Sequence, residues 1–192
     1  VVAANNTTGS GLTAMGYESM YSNTTGSNSV AYGQQSLRNN TTGGTNTALG
    51  HLALYTNTTA SNNTAVSFQA LYSNSSGTQN VGVGNNALYA NTSGSYSTAV
   101  GYDALKSNTS GVSNTAVGSI ALDAMTTGNY NVAVGSGSLG AATTGSRNVA
   151  VGTSALTDLT TASNNTAVGD GALANNTTAS NNVAVGKDAL EA

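Results

Sequence analysis

The sequence predicts an all-β fold, a parallel β-solenoid (β-roll) of eleven 17-residue coils. Three observations carry that prediction. A glycine recurs at a fixed interval: Gly16, Gly33, Gly50, Gly84, Gly101, Gly118, Gly135, Gly152, Gly169 and Gly186, with Ser67 filling the one gap. A β-branched or apolar triplet precedes each of them. No insertion or deletion breaks the register, which a stack of coils demands because one extra residue flips a strand's faces. One unit reads N-T-A-V-G-x-x-A-L-x-x-N-T-T-G-S-N, and residues 1–192 form a single array of such units. The array starts and stops without a polar cap, so it reads as an excerpt of a longer fibre.

The strand comes first. Its opening residue is Thr or Val, and its closing residue is apolar in every coil, from Met15 and Tyr32 to Val168 and Val185. Residues two apart share a face. These two columns are expected to face inward, together with a third column that begins at Met20 and continues as Leu37, Leu54, Leu71, Leu88, Leu105, Leu122, Leu139, Leu156, Leu173 and Leu190. One coil cannot bury a core alone, but a stack can.

The residue between the two strand columns then points outward. It is Ala14, Ala31, Ala48, Ala65, Gly82, Ala99, Ala116, Ala133, Ala150, Ala167 and Ala184. An exposed column drifts toward polar residues, so restriction to Ala and Gly predicts contact with other chains around an axis. The A-L-x-x stretch reads as a second strand or an irregular bend. N-T-T-G reads as a turn, its glycine supplying positive φ, and stacked Asn and Thr are expected to form ladders along the rod.

Composition bounds the function. Only 6% of residues are charged and the net charge is −3, against about a quarter charged in ordinary domains. The charged residues lie outside the predicted core and contact columns. Four basic residues are too few to neutralise a phosphate backbone, so nucleic acid is not an expected partner. No apolar run approaches the ~18 residues of a membrane span. Without cysteine there is neither a disulfide framework nor a thiolate metal site.

Catalytic signatures are absent as well. His51 is the one histidine and occupies a variable position. The glycines form no phosphate loop, and no G-x-S-x-G elbow appears. The chain is therefore read as a non-enzyme with no metal and no cofactor. Tyr21, Tyr55, Tyr72 and Tyr89 form a column with Arg38 and Lys106. That column is either a surface strip for sugars or another fibre, or a stacking ladder that stiffens the rod; the ladder is the preferred reading. Sequons at Asn23, Asn40, Asn57, Asn74, Asn91, Asn108 and Asn176 recur because the turn recurs.

The runs Ser29 to Gly33 (SVAYG), Asn131 to Gly135 (NVAVG) and Asn148 to Gly152 (NVAVG) resemble the head repeats of trimeric autotransporter adhesins. The longer unit is similar to repeats of phage tail fibres and bacterial surface fibre proteins. The period here is longer than the adhesin head's. The resemblance implies a β-roll of three chains about one axis, with small residues at that axis. It implies a structural rod at a cell surface or in a virion tail fibre: an adhesin stalk or head, or a tail-fibre shaft. The expected partner is a further copy of the chain, as a homotrimer or as a filament of end-to-end coils, and beyond that a host-surface glycan. Repetitive-surface binding, to glycan or ice, is the remaining alternative.

Overall fold

The computed structural model describes residues 2–191. Eleven three-residue strands, β1 (Thr13–Met15) to β11 (Val183–Val185), form one parallel sheet in strict sequence order. Each pairs with the next in identical register, Thr64↔Val81, Ala65↔Gly82 and Val66↔Val83 for example. The fold is an all-β parallel solenoid. No helix forms among the described residues, so none is long and apolar enough to cross a membrane.

The ladder continues around the coil beyond the strand. Leu71 N donates to Ala87 O at 2.9 Å, Thr41 N to Thr58 O at 2.8 Å and Gly84 N to Val66 O at 2.9 Å. Each coil therefore finds most of its main-chain partners in its neighbours, which satisfies a chain too narrow to pair with itself.

The strand's faces are the reverse of the expected ones. The middle residue is the inward one: Ala31, Ala48, Ala65, Ala99, Ala116, Ala133, Ala150 and Ala167 are 0% exposed. The flanking Thr, Val, Met, Tyr and Leu columns face outward, with Met15 58% and Tyr32 56% exposed. The leucine column is buried as expected from Met20 to Leu173, while Leu190 in the last coil is exposed. A second alanine column completes the core, including Ala53, Ala70, Ala87, Ala104 and Ala121. The inward strand residue is small because the coil is narrow. A methyl on Gly82 would lie 3.4 Å from Leu71 Cγ in the preceding coil. The predicted inter-chain contacts Ala14, Ala31, Ala48, Ala65, Gly82, Ala99, Ala116, Ala133, Ala150, Ala167 and Ala184 thus line this chain's own interior, all buried except the half-buried Ala14. Their smallness reports packing under leucine and not a neighbouring chain.

The A-L-x-x stretch is neither strand nor disorder. The chain bends through left-handed backbone at the leucine of this stretch and at the residue just before the stretch begins, as at Leu105 (φ 51°) and Asp103 (φ 54°), the latter place being glycine at Gly137 and Gly171. A third such position precedes the next strand's entry, as at Ser113 (φ 56°). Left-handed φ costs an L-residue roughly 1–2 kcal/mol. The cost is repeated in every coil and is offset by delivering leucine inward.

The repeat glycine is the fourth left-handed position, with φ of 127° at Gly16 and 143° at Gly50. Ser67 holds the same conformation at φ 111°. The N-T-T-G glycines are different: Gly26, Gly43 and Gly77 do not have positive φ. They are buried, and a methyl on Gly26 would run into the next coil's Gly43 carbonyl oxygen and meet Asn23 Oδ1 at 2.6 Å and Asn40 Nδ2 at 2.8 Å. Space keeps that column small without requiring glycine, since Ala60 and Ala162 occupy it and are buried.

Candidate interaction surfaces

Two internal asparagine columns define the coil before any surface can be described. One immediately precedes the strand: Asn46, Asn63, Asn80, Asn114, Asn131, Asn148 and Asn165, with Ser29 and Ser97 in two coils. The other opens N-T-T-G: Asn23, Asn40, Asn57, Asn74, Asn91 and Asn108. All of these are buried, at 0% or 1% exposed. In the second column each Nδ2 donates to the preceding coil's Oδ1, Asn57 to Asn40 at 2.7 Å and Asn91 to Asn74 at 2.8 Å. The same nitrogen donates three residues on, as Asn74 does to Gly77 O at 2.8 Å.

Both columns converge on that one carbonyl. Gly77 O accepts from Asn63 Nδ2 at 2.9 Å as well as from Asn74. Gly94 O accepts from Asn80 and Asn91 in the same way. Where the second column turns apolar, at Met125, Ala142 and Leu159, the first column holds the carbonyl alone: Asn114 to Gly128, Asn131 to Gly145 and Asn148 to Ala162. Where the first column is serine, the second holds it alone: Asn40 to Gly43 and Asn108 to Gly111. No coil between Gly26 and Ala179 lacks both donors. The ladder ends where Met125 replaces asparagine, and Asn108 Oδ1 is left buried without a partner. The sequons at Asn23, Asn40, Asn57, Asn74, Asn91 and Asn108 are therefore closed to glycosylation in the folded chain.

Three outer features remain. The first is the sheet's outward face, two strand columns wide and eleven coils long. Its exposed members include Leu49, Val100, Val117, Val134 and Val168, each 37% exposed. The residue after the repeat glycine extends this face with Tyr17 (60%), Phe68 (41%) and Tyr102 (56%). His51 belongs to this flank and tilts against Phe68, with ring centroids 5.6 Å apart.

The second is the tyrosine column. Tyr55, Tyr72 and Tyr89 stack with centroids 5.2 Å apart and interplanar angles of 5° and 10°. The Arg38 guanidinium lies 5.4 Å from the Tyr21 ring centroid and 6.0 Å from that of Tyr55. The ring faces are turned on one another, which leaves edges and hydroxyls to solvent. Burial, with Tyr55 and Tyr89 on either side, raises the Tyr72 phenol above its ordinary value. Arg38 also pairs with Glu18 at 2.6 Å, and Gln35 donates to the same carboxylate oxygen at 3.0 Å. The Gln35 hydrogen bond, then that of Arg38, lowers the Glu18 carboxyl to about 2. At the other end of the column, Lys106 donates to Asp103 at 2.9 Å, which raises the lysine.

The third is a hydroxyl column. The first Thr of N-T-T-G spends its hydroxyl on the next coil, as Thr24 Oγ1 does to Thr41 O at 3.0 Å. The second is Ser or Thr in all eleven coils and exposed in each, from Thr8 and Thr25 through Ser93 to Thr178. Among the described residues no group of three or more His, Cys, Asp or Glu is placed to hold a metal ion.

No family model matches this chain, and no curated protein or solved structure is significantly similar to it.

Proposed function

We propose that this chain is the rod of an extracellular fibre, a mechanical element of an adhesin stalk or head or of a tail-fibre shaft, with no catalytic role. One observation carries the reading. Eleven coils repeat the same main-chain ladder and the same closing carbonyl without a break. Such a stack transmits shape along one axis, because each coil contacts only its neighbours. At about 4.8 Å per coil the array is roughly 53 Å long. The self-contained ladder also suits a chain working outside the cell without disulfides.

The rod works as a homo-oligomer, a trimer in the reading that the adhesin resemblance favours. Electron microscopy of the native particle with mass determination tests this. Discrete rods of three chains support the trimer; rods of two chains keep the homo-oligomer and sink the trimer. Open filaments with one chain per cross-section favour the alternative of end-to-end coil stacking.

A second reading, binding to a repetitive target such as a surface glycan or ice, rests on the hydroxyl column, which stays Ser or Thr although its side chain faces solvent. Replacing Thr127 and Thr144 by Lys abolishes such binding if this reading holds, and leaves a purely mechanical rod unchanged.

A further inference from the structure

We infer that the outward face of the sheet is an interface on which a second copy of this chain packs face to face. The inference deepens the fibre-rod reading and rests on it.

The two outward strand columns carry no charged residue in any of the eleven coils, and their closing column is apolar throughout. Thirteen of the 18 exposed large apolar side chains lie on these columns or on the adjoining flank. The apolar surface of this chain is therefore gathered on one side, in a single uninterrupted strip. The charged residues Glu18, Arg38, Asp103 and Lys106 cluster elsewhere on the coil, around the tyrosine stack.

Size fits a copy-to-copy contact. Eleven strands at about 4.8 Å by three residues at about 3.3 Å give a face of roughly 500 Å² in projection. That already matches the largest apolar patch of an ordinary monomer, about 300–600 Å². A stable interface takes about 800 Å² from each partner. Over the first six coils the flank adds Tyr17, Phe68 and Tyr102 and widens the strip by a further two residues, toward that size; beyond them it turns polar and ends in Asp170 and Lys187.

Periodicity selects the partner. The face presents the same rung once per coil, and a surface that meets every rung must share that repeat. A second copy of this chain has it by construction. Sheets pack face to face about 10 Å apart with strands nearly aligned, so rows of Val and Thr methyls from two copies interleave along the whole rod. A self-complementary contact of this kind closes on itself as a pair, so two copies, in place of the adhesin-like three, are the oligomer this face predicts. It leaves the turns and both ends of the array free.

The experiment uses sedimentation equilibrium on the whole chain. The Val117→Lys, Val134→Lys double variant places two charges in the strip, and the Thr127→Lys, Thr144→Lys variant places them on the hydroxyl column of nearby coils. The parent and the threonine variant are expected to sediment as the same oligomer. The valine variant is expected to associate at least about 100-fold more weakly, because unpaired charges would be buried, while its far-ultraviolet circular dichroism stays that of the parent. Should the valine variant fail to fold, a bismaleimide cross-linker with a spacer of about 10 Å, the separation of facing sheets, decides on a Val117→Cys variant: rapid covalent pairs, absent with Thr127→Cys, support the interface. A monomeric parent, a folded valine variant with parental association, or equal cross-linking at both cysteines overturns it. In each of those cases single rods of about 50 Å in micrographs still uphold the rod reading, whereas their loss would defeat both.

Discussion

The rule that each coil's closing carbonyl keeps at least one asparagine donor makes a quantitative prediction at Asn108. Its coil carries Ser97 in the first column, so Gly111 O depends on the Asn108 side chain alone, at 3.1 Å. Asn108→Met, which copies the next coil's Met125, leaves that buried carbonyl unpaired. It also removes the donor to Asn91 Oδ1, now at 2.8 Å. At the same time it deletes the unpartnered Asn108 Oδ1, so the two changes in side-chain acceptors cancel. What remains is one buried unsatisfied carbonyl, about 1–3 kcal/mol of destabilisation. Ser97→Asn supplies the missing donor, as Asn80 Nδ2 does to Gly94 O at 2.8 Å one coil earlier. The second change is expected to recover most of the loss, giving a coupling of about 1–2 kcal/mol in a double-mutant cycle. Urea unfolding followed by circular dichroism measures the four proteins, with amide exchange near residue 111 reporting the local effect. A double variant no more stable than Asn108→Met alone would refute the reasoning, since the two columns would not share a carbonyl.

Other consequences follow from the same geometry. Ser67 sits at φ 111° where other coils carry glycine, so Ser67→Gly is expected to raise stability by about 1 kcal/mol, net of the 2.7 Å bond from Ser67 Oγ to Asn85 Oδ1; a lower urea midpoint would contradict this. Ala116 is inward and 0% exposed, so Ala116→Val is expected to cost about 1–3 kcal/mol by overpacking, readable as a lower midpoint in thermal or urea melts. Leu88→Ala is expected to cost about 2–5 kcal/mol, and Leu88→Val more than a buried Leu→Val normally does, because the position is left-handed at φ 54° and disfavours β-branching. The Glu18 carboxyl, lowered from 4.5 to about 2, favours the folded state above its ordinary value and loses that contribution as pH falls toward 2. Thermal melts of the parent are expected to decline across that window more than those of Glu18→Gln, and parallel curves would contradict the assignment.

The period, the coil count, the leucine column and the ladders were legible because each repeats in register along the chain. The face of the strand was not. Strand parity tells which residues share a side, and both sides here are restricted: Thr or Val with Val on one, Asn or Ser with Ala on the other. Assigning the larger apolar residues inward follows the usual preference. It fails here because leucine already fills a narrow coil and leaves room only for Ala116 or Gly82 beneath it. The signal that could have corrected it was the second alanine column beside leucine, Ala70 and Ala87 among others, which marks a core of small residues. The left-handed leucines had no signal at all, since leucine carries no preference for positive φ. The role of the N-T-T-G glycine was misread for a related reason: Gly26 is small for the Gly43 carbonyl and the asparagines beside it and not for its own backbone.

A rod of this kind requires its coils to be equal steps along one axis. Spin-label distances across the hydroxyl column test that, since Thr25, Ser93 and Thr161 are exposed and occupy equivalent places in coils four apart. Thr25→Cys paired with Ser93→Cys is expected to give a separation of about 19 Å, and Thr25→Cys paired with Thr161→Cys about 38 Å, at about 4.8 Å per coil. Narrow distributions that double in this way would uphold the rod; a second distance that falls short of twice the first, or distributions broad enough to merge, would contradict it.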